Sequence, residues 1–97
     1  MNEVRPRVLV VAGFDASGGA GILRDLATLQ AMDLDAVPIV TAVTAQNHQT
    51  FEAFEAVSLA LLLAEARLAL GHAPPELVKI GMLGSVANTE AIGGLLQ

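Results

Sequence analysis

Residues 8–22, which read VLVVAGFDASGGAGI, decide the fold of this chain. The run opens with apolar, mostly β-branched residues, is too short for a helix and contains no breaker, so it predicts a buried strand. The strand ends in a loop with glycine at positions 13, 18, 19 and 21, together with Asp15 and Ser17. A helical pattern follows at once. Because the first-turn N–H groups of a helix are unpaired, this arrangement predicts a site for an anion or another polar ligand.

Two familiar phosphate-binding loops do not match this stretch. Where a P-loop has Lys followed by Ser or Thr, the chain has Gly19 and Ala20. The dinucleotide fingerprint fails at its third glycine, where Arg24 stands. Close packing of a helix on a strand also selects small residues, and it explains a lone glycine-rich turn about as well as ligand binding does. The spacing alone leaves both interpretations open.

The composition indicates one small cytoplasmic domain. The 97 residues are 54% apolar but only 3% aromatic, so the core must be built from Val, Leu, Ile and Ala. A net charge of −5 argues against a nucleic acid or an anionic membrane as partner. The chain has no cysteine, which excludes a disulfide framework and a thiol nucleophile. The first apolar run is too short for a membrane span and lacks a cleavage pattern, which favours a strand over a signal peptide.

A helix is predicted over residues 19–32, with Ile22, Leu26 and Leu29 on one apolar arc. Asp25 falls inside that arc, where a carboxylate requires a partner. The pattern leaves open whether Asp25 reaches water at the flank of the helix or binds a ligand.

The next strand is predicted over residues 36–43, an almost continuous apolar run typical of a parallel strand buried on both faces. A polar loop over residues 44–50 follows it. Ligands bind at the carboxyl ends of strands in open α/β sheets, so Gln46 and Asn47 are well placed, although they also fit as ordinary loop residues. His48 has no second metal ligand at a suitable spacing, and we expect it to face solvent.

A weak edge strand is predicted over residues 51–57, followed by a helix over residues 59–70 with Ser58 as its N-cap. The helix is apolar almost all round, and such a helix is normally buried on more than one side. Ninety-seven residues offer little to bury it, which indicates sequence outside this chain or a partner subunit.

A third strand over residues 77–84 and a last helix capped by Asn88 or Thr89 complete the pattern. The order βα, β, weak β, α, βα predicts half of a doubly wound α/β sheet. Three strand ends then open on one edge of that sheet, at Gly13, Gln46 and Met82.

Three stretches resemble signatures of the hydroxymethylpyrimidine/phosphomethylpyrimidine kinases of thiamine biosynthesis. The first comprises residues 12–13, 15, 17–22 and 25–26, which read AG, D, SGGAGI and DL. The second is TAVTAQN, residues 41–47, and the third is VKIGMLG, residues 78–84. They occur in the order and with the separations typical of that family. The resemblance covers nearly the whole chain but only the N-terminal part of the family's domain.

The resemblance implies a ribokinase-like three-layer α/β/α fold with a mainly parallel sheet, of which residues 1–97 form an incomplete, N-terminal portion. It implies transfer of the ATP γ-phosphate, with Mg²⁺, to 4-amino-5-hydroxymethyl-2-methylpyrimidine and then to its monophosphate. By position, Gly13, Asp25, Gln46 and Met82 match the pyrimidine pocket of the family. The anion hole, the catalytic base region and most of the ATP site correspond to sequence beyond Gln97. We therefore expect no catalytic residue and no metal ligand in this chain, and no activity from it alone.

Two other functions fit the same residues. One is a related kinase that acts on pyridoxal or pyridoxine, and the other is a non-catalytic module for ligand binding or subunit association. Phe14, Leu23 and residues 48–54 depart from the usual family pattern, so the segment after Gln46 is expected to differ from that of the family. The expected partners are a small pyrimidine and a second copy of the chain.

Overall fold

The computed structural model describes residues 5–71 and 74–97, which form a four-stranded sheet with helices on both faces. The strand order is β3-β2-β1-β4, in which β1 is parallel to β2 and β4 while β3 is antiparallel to β2. This mostly parallel α/β sheet confirms the predicted fold class. The elements are β1 (Arg7–Asp15), α1 (Gly21–Ala31), β2 (Asp35–Gln46), β3 (Phe51–Ala56), α2 (Leu59–Leu70), β4 (Leu77–Ile80) and α3 (Val86–Leu95).

β1 lies in the middle of the sheet and supplies both halves of the core. Successive side chains of a strand point to opposite faces, so its apolar run covers both sides. On the face of α1, Val8, Val10 and Ala12 pack with Ile22. The opposite face carries α2 and α3, and its buried cluster consists of Leu9, Val11, Ile39, Leu62, Ala66 and Ile92.

β2 is longer than its apolar run predicts. It extends to Gln46, so residues 44–46, expected in a loop, belong to the strand. Antiparallel pairing with β3 carries the strand onward, with Ala45 opposite Ala53 and Gln46 opposite Phe51. Polar residues are held in the sheet here because backbone hydrogen bonds to a neighbouring strand do not depend on side-chain polarity. The loop is reduced to residues 47–50, and the predicted edge strand is present.

The first half of β2 is paired on one side only. Pro38 lies opposite Val10 of β1, whereas β3 pairs with β2 only from Ala42 onward. Since proline has no N–H to donate, it is tolerated where one side of a strand has no neighbour.

The observed ends of the helices and strands correct three predictions. α1 begins at Gly21 rather than at residue 19, because the backbone before it forms a tight turn. β4 ends at Ile80, and residues 81–84 form a loop. The N-cap of α3 is Ser85, whose Oγ accepts from the N–H of Asn88 at 3.0 Å, so neither Asn88 nor Thr89 caps the helix. For α2 the predicted cap is confirmed, since Ser58 Oγ accepts from the Leu61 N–H at 3.1 Å.

α2 buries only Leu62 and Ala66. This confirms, for the described residues, the expectation that the chain has little with which to bury the helix. Its exposed apolar side chains are Leu59, Leu61, Leu63 and Leu68. Within residues 5–71 and 74–97, no helix has the length and apolar character that crossing a membrane requires.

Candidate functional site

A cavity of about 250 Å³ opens at the carboxyl ends of β1, β2 and β4. Ligands of open α/β sheets bind at this edge. All four residues that the family resemblance singled out, Gly13, Asp25, Gln46 and Met82, line this one cavity. The other lining residues are Ala12, Asp15, Ala20, Gly21, Thr44, Lys79 and Gly81. The fold thus brings the three motif stretches together, while the role of the four residues in binding stays a prediction.

Asp15 organises the glycine-rich loop. Its side chain is buried, and Oδ1 accepts hydrogen bonds from the N–H and the hydroxyl of Ser17, at 2.9 and 2.7 Å. Oδ2 accepts from the N–H of Ala20 at 3.2 Å, the residue just before α1. The Ser17 hydroxyl and these backbone N–H groups hold the pKa of Asp15 below its usual value, against the opposing effect of burial. An ionised carboxylate therefore shapes the loop, a role that its position in the motif alone did not reveal.

The loop spacing left open whether its glycines serve close packing or ligand binding, and at Gly21 the structure shows close packing. Its φ is +68°, and a Cβ placed on it would lie 2.5 Å from the carbonyl oxygen of Gly13. No side chain fits such a contact, so close packing of α1 on the end of β1 does require this glycine. Gly18, by contrast, also has a positive φ but faces open space. Close packing therefore explains the glycine at position 21 but not the one at position 18.

Asp25 has a protein partner that the sequence did not indicate. Lys79 on β4 donates from Nζ to Oδ1 of Asp25 at 2.8 Å, across a separation of 54 residues. The Asp25 side chain is only 14% exposed, and Oδ2 is buried and accepts no hydrogen bond from the described residues. The available signal was a single lysine in an otherwise apolar strand. Asp25 thus lines the cavity as a paired carboxylate with one oxygen still unused.

Gln46 is half-buried at the end of β2. Its Nε2 donates to Oγ1 of Thr44 at 2.8 Å, and the Thr44 hydroxyl donates to the carbonyl of Phe14 at 3.3 Å. This chain of hydrogen bonds fixes the amide plane of Gln46. No described residue donates to Oε1, and Nε2 carries a second hydrogen. The carboxamide can therefore both donate to and accept from a ligand.

The neighbouring polar residues lie outside this cavity. Asn47 uses its side-chain oxygen to accept from the N–H groups of Gln49 and Thr50, at 2.9 and 2.8 Å, and so shapes the turn before β3. His48 is exposed. Across residues 5–71 and 74–97, no three His, Asp or Glu side chains come together in a group that would hold a metal ion.

Met82 lies in the loop after β4, against Gly13. Its Sδ is 3.4 Å from the position that a Cβ on Gly13 would occupy. The thioether is polarizable and adapts to flat, apolar ligand surfaces. The cavity therefore combines an apolar wall with the carboxylate of Asp25, the carboxamide of Gln46 and the ammonium of Lys79.

Comparison with known proteins points to one family. Residues 15–97 match the family model described as phosphomethylpyrimidine kinase. A hydroxymethylpyrimidine/phosphomethylpyrimidine kinase of Streptomyces coelicolor is 37% identical over 91 residues, which cover 94% of this chain and 34% of that protein. The chain thus spans about a third of the length of this curated relative.

Solved structures give the same fold. The crystal structure of phosphomethylpyrimidine kinase from Clostridium difficile 630 superposes with a TM-score of 0.89 at 35% identity, covering 95% of this chain and 40% of that one. Pyridoxal kinase from Staphylococcus aureus, in complex with AMP-PCP and pyridoxal, superposes with a TM-score of 0.86 at 27% identity, over 97% of this chain and 35% of that one.

Proposed function

The chain belongs to the phosphomethylpyrimidine kinase family, and from this membership we propose that its cavity binds the aminopyrimidine that such a kinase phosphorylates. One observation carries the proposal. Gly13, Asp25, Gln46 and Met82 come from separate stretches of the chain and line a single cavity. The ligand proposed is 4-amino-5-hydroxymethyl-2-methylpyrimidine, followed by its monophosphate.

The polar atoms of the cavity complement that ring. An aminopyrimidine presents N–H donors on its amino group next to ring nitrogens that accept. The buried carboxylate of Asp25 accepts only, whereas the amide of Gln46 both donates and accepts in one plane. Met82 and Gly13 supply an apolar surface on which a flat ring can lie. Both polar groups are held by protein hydrogen bonds, at Lys79 and Thr44, so little ordering is required on binding.

Phosphoryl transfer requires more than this cavity. Catalysis of that reaction depends on positioning and on cations and hydrogen-bond donors around the transferred group. This chain spans about a third of the length of a curated relative, and among its described residues no three acidic or histidine side chains form a group that would hold a metal ion. Lys79, a cation at the cavity, is paired with Asp25. We therefore derive no transfer step from this chain and assign it the acceptor pocket of an ATP- and Mg²⁺-dependent kinase.

Pyridoxal is a second candidate ligand, because the pyridoxal kinase of Staphylococcus aureus shares the fold at 27% identity. Pyridoxal can donate to a carboxylate through its phenolic hydroxyl or a protonated ring nitrogen, so Asp25 alone does not separate the two ligands. The aminopyrimidine is favoured because its amino group lies next to a ring acceptor, a pattern that the Asp25 carboxylate and the Gln46 amide match together. A non-catalytic binding module remains compatible with the same cavity and gives the same binding result without turnover.

Isothermal titration of the 97-residue chain with 4-amino-5-hydroxymethyl-2-methylpyrimidine tests the proposal, with pyridoxal as the competing ligand. We expect the pyrimidine to bind more tightly. Replacing Gln46→Leu removes the amide and leaves ligand polar groups unpaired, which weakens binding by about 1–3 kcal/mol. The melting temperature changes little, because Gln46 is half-buried at a strand end.

Gln30→Leu is the matched control. The same chemical change is made on the exposed side of α1, outside the cavity, and affinity stays at the wild-type value. Equal affinity of wild type and Gln46→Leu would remove Gln46 from the site. Tighter binding of pyridoxal than of the pyrimidine would contradict the proposed substrate and favour a pyridoxal-type kinase.

A further inference from the structure

Three separate segments of the chain meet behind the cavity, at the side chain of Asn88. This residue is 1% exposed, although it carries an amide. Its Nδ2 donates to the carbonyl oxygens of Thr41 and Val57, both at 3.3 Å, and of Leu83 at 3.2 Å. One side chain of α3 thus ties together β2, the segment between β3 and α2, and the loop after β4.

Thr41 makes the second connection to that loop. It is fully buried, and its Oγ1 donates to the carbonyl oxygen of Met82. The backbone of Thr41 is itself held, because its carbonyl accepts from the N–H of Val57 at 2.8 Å. The carbonyls of Met82 and Leu83 are therefore anchored to two different elements, Thr41 of β2 and Asn88 of α3.

The end of this loop has no room to move. Gly84 has a φ of +87°, and a Cβ on it would lie 3.2 Å from the Cβ of Ala56 and 3.3 Å from that of Ala42. At the other end, the N–H of Gly81 donates to the carbonyl of Val11 at 2.7 Å. Residues 81–83 are therefore each hydrogen-bonded to another element, and Gly84 is closely packed.

Burying the amide of Asn88 lowers the free energy of unfolding in one respect. Its Oδ1 is buried and accepts no hydrogen bond from the described residues. A buried polar atom without a partner costs free energy that an apolar side chain would not. The other end of the amide provides the donors for three backbone carbonyls, one of which belongs to the loop that carries Met82.

We propose that Thr41 and Asn88 are positioning residues of the cavity: by fixing the backbone of Met82 and Leu83 they hold the Met82 thioether against Gly13. This inference rests on the proposed function, because the wall they position is the one proposed to contact the pyrimidine. Neither side chain lines the cavity, so both act through Met82.

The test compares Thr41→Val, which keeps the shape but removes the hydroxyl, with Thr41→Ser, which keeps the hydroxyl. Titration of the full chain with 4-amino-5-hydroxymethyl-2-methylpyrimidine should show binding about tenfold weaker for the valine variant, the effect of losing one anchoring hydrogen bond. The serine variant should bind within about twofold of wild type. In a Met82→Ala background, Thr41→Val should cause no further loss, because the group through which it acts is gone.

A second measurement needs no ligand. The chain has three methionines, and ¹³C-methyl labelling reports on each of them. Thr41→Val should shift or broaden the Met82 methyl signal while the signal of Met32, exposed at the end of α1, stays in place. The Met82 signal is assigned from its loss in Met82→Ala.

The outcomes separate the two proposals. Absence of pyrimidine binding by the wild type contradicts the proposed function, and the methyl spectra still decide the positioning role. A lower melting temperature with unchanged affinity and an unchanged Met82 signal would overturn the inference and leave Thr41 a purely structural residue. If Thr41→Val does not fold, the isosteric Asn88→Leu replaces it with the same expectations. Failure of both variants to fold also overturns the inference.

Discussion

Two glycines of this chain differ in whether the backbone requires a glycine at that position. Gly21 has a φ of +68° and sits against the carbonyl of Gly13, whereas Gly93 lies in α3 with nothing within 4 Å of a Cβ built on it. The first conformation is one that only glycine adopts without strain. The second is ordinary helix, where glycine merely increases the entropy of the unfolded chain.

Gly21→Ala should therefore lower the free energy of unfolding by about 2–4 kcal/mol, from left-handed strain and a clash with the backbone. The matched change Gly93→Ala should raise it by about 0.5–1 kcal/mol. Urea unfolding followed by circular dichroism measures both. Equal effects of the two alanines would contradict the packing described for the glycine-rich loop.

At the scale of elements, a side chain of α2 accepts a hydrogen bond from the part of β2 that does not pair with β3. β3 pairs with β2 only from Ala42 onward, and just before that point the N–H of Val40 donates to Oε1 of Glu65 on α2, at 2.9 Å. Oε2 of Glu65 is buried and accepts no hydrogen bond from residues 5–71 or 74–97. Burial raises the pKa of Glu65 above its usual value, and the hydrogen bond from Val40 opposes this only in part.

The sign of the resulting pH dependence follows from that shift. A carboxyl whose pKa is raised by folding contributes stability that is fully present below the unfolded pKa, near 4.5, and is lost as the pH rises through the folded pKa. Glu65→Gln removes this loss and keeps an acceptor for Val40. The variant should gain stability relative to wild type between pH 4 and pH 7, as measured by urea unfolding at both values.

Glu55→Gln, exposed on β3, is the control and should show no such gain. Asp15, whose pKa is lowered, acts in the opposite sense, since its stabilisation is lost as the pH falls below about 4. Only the difference between variant and wild type isolates Glu65. A glutamine variant whose stability relative to wild type does not rise from pH 4 to pH 7 would contradict the role of burial.

At the scale of the whole molecule, α2 and β4 are among the elements that expose large apolar side chains. Four leucines of α2 are exposed, and β4, which pairs only with β1 among the described strands, exposes three further apolar side chains. These are Leu77, Val78 and Ile80. Large exposed apolar patches are rare on soluble monomers.

We therefore expect the chain to self-associate. Analytical ultracentrifugation at tens of micromolar, roughly the range in which such surfaces associate, should show dimers or larger species. Leu68→Glu should weaken this association, whereas Met32→Glu, on a similarly exposed apolar residue at the end of α1, should not. A single monomeric species for the wild type would contradict the expectation.

The turnover expected of the chain is also a property of the whole molecule. It spans about a third of the length of its curated relative, and the role proposed for it is that of the acceptor pocket alone. We expect negligible ATP consumption with 4-amino-5-hydroxymethyl-2-methylpyrimidine at saturating Mg²⁺. Turnover near the kinase range of about 1–100 s⁻¹ would show that the catalytic groups lie within these residues.

The sequence by itself determined the mostly parallel sheet, the glycine-rich loop and the family. Strand and helix periodicity, capping at Ser58 and the glycines of residues 8–22 are local properties, readable over a few neighbouring residues. The three family motifs then indicated Gly13, Asp25, Gln46 and Met82, which the structure places around one cavity.

Only the tertiary structure decided how those residues are held. Lys79 pairs with Asp25 across 54 positions. The sequence context of Asn88 predicts a helix cap, but the residue is buried, and its amide donates to the carbonyl of Thr41, 47 positions away. The extension of β2 to Gln46 likewise depends on where β3 pairs with it. Such contacts are made by whichever donors and acceptors the folded chain brings together, because most buried polar groups find their partners in space and not along the sequence.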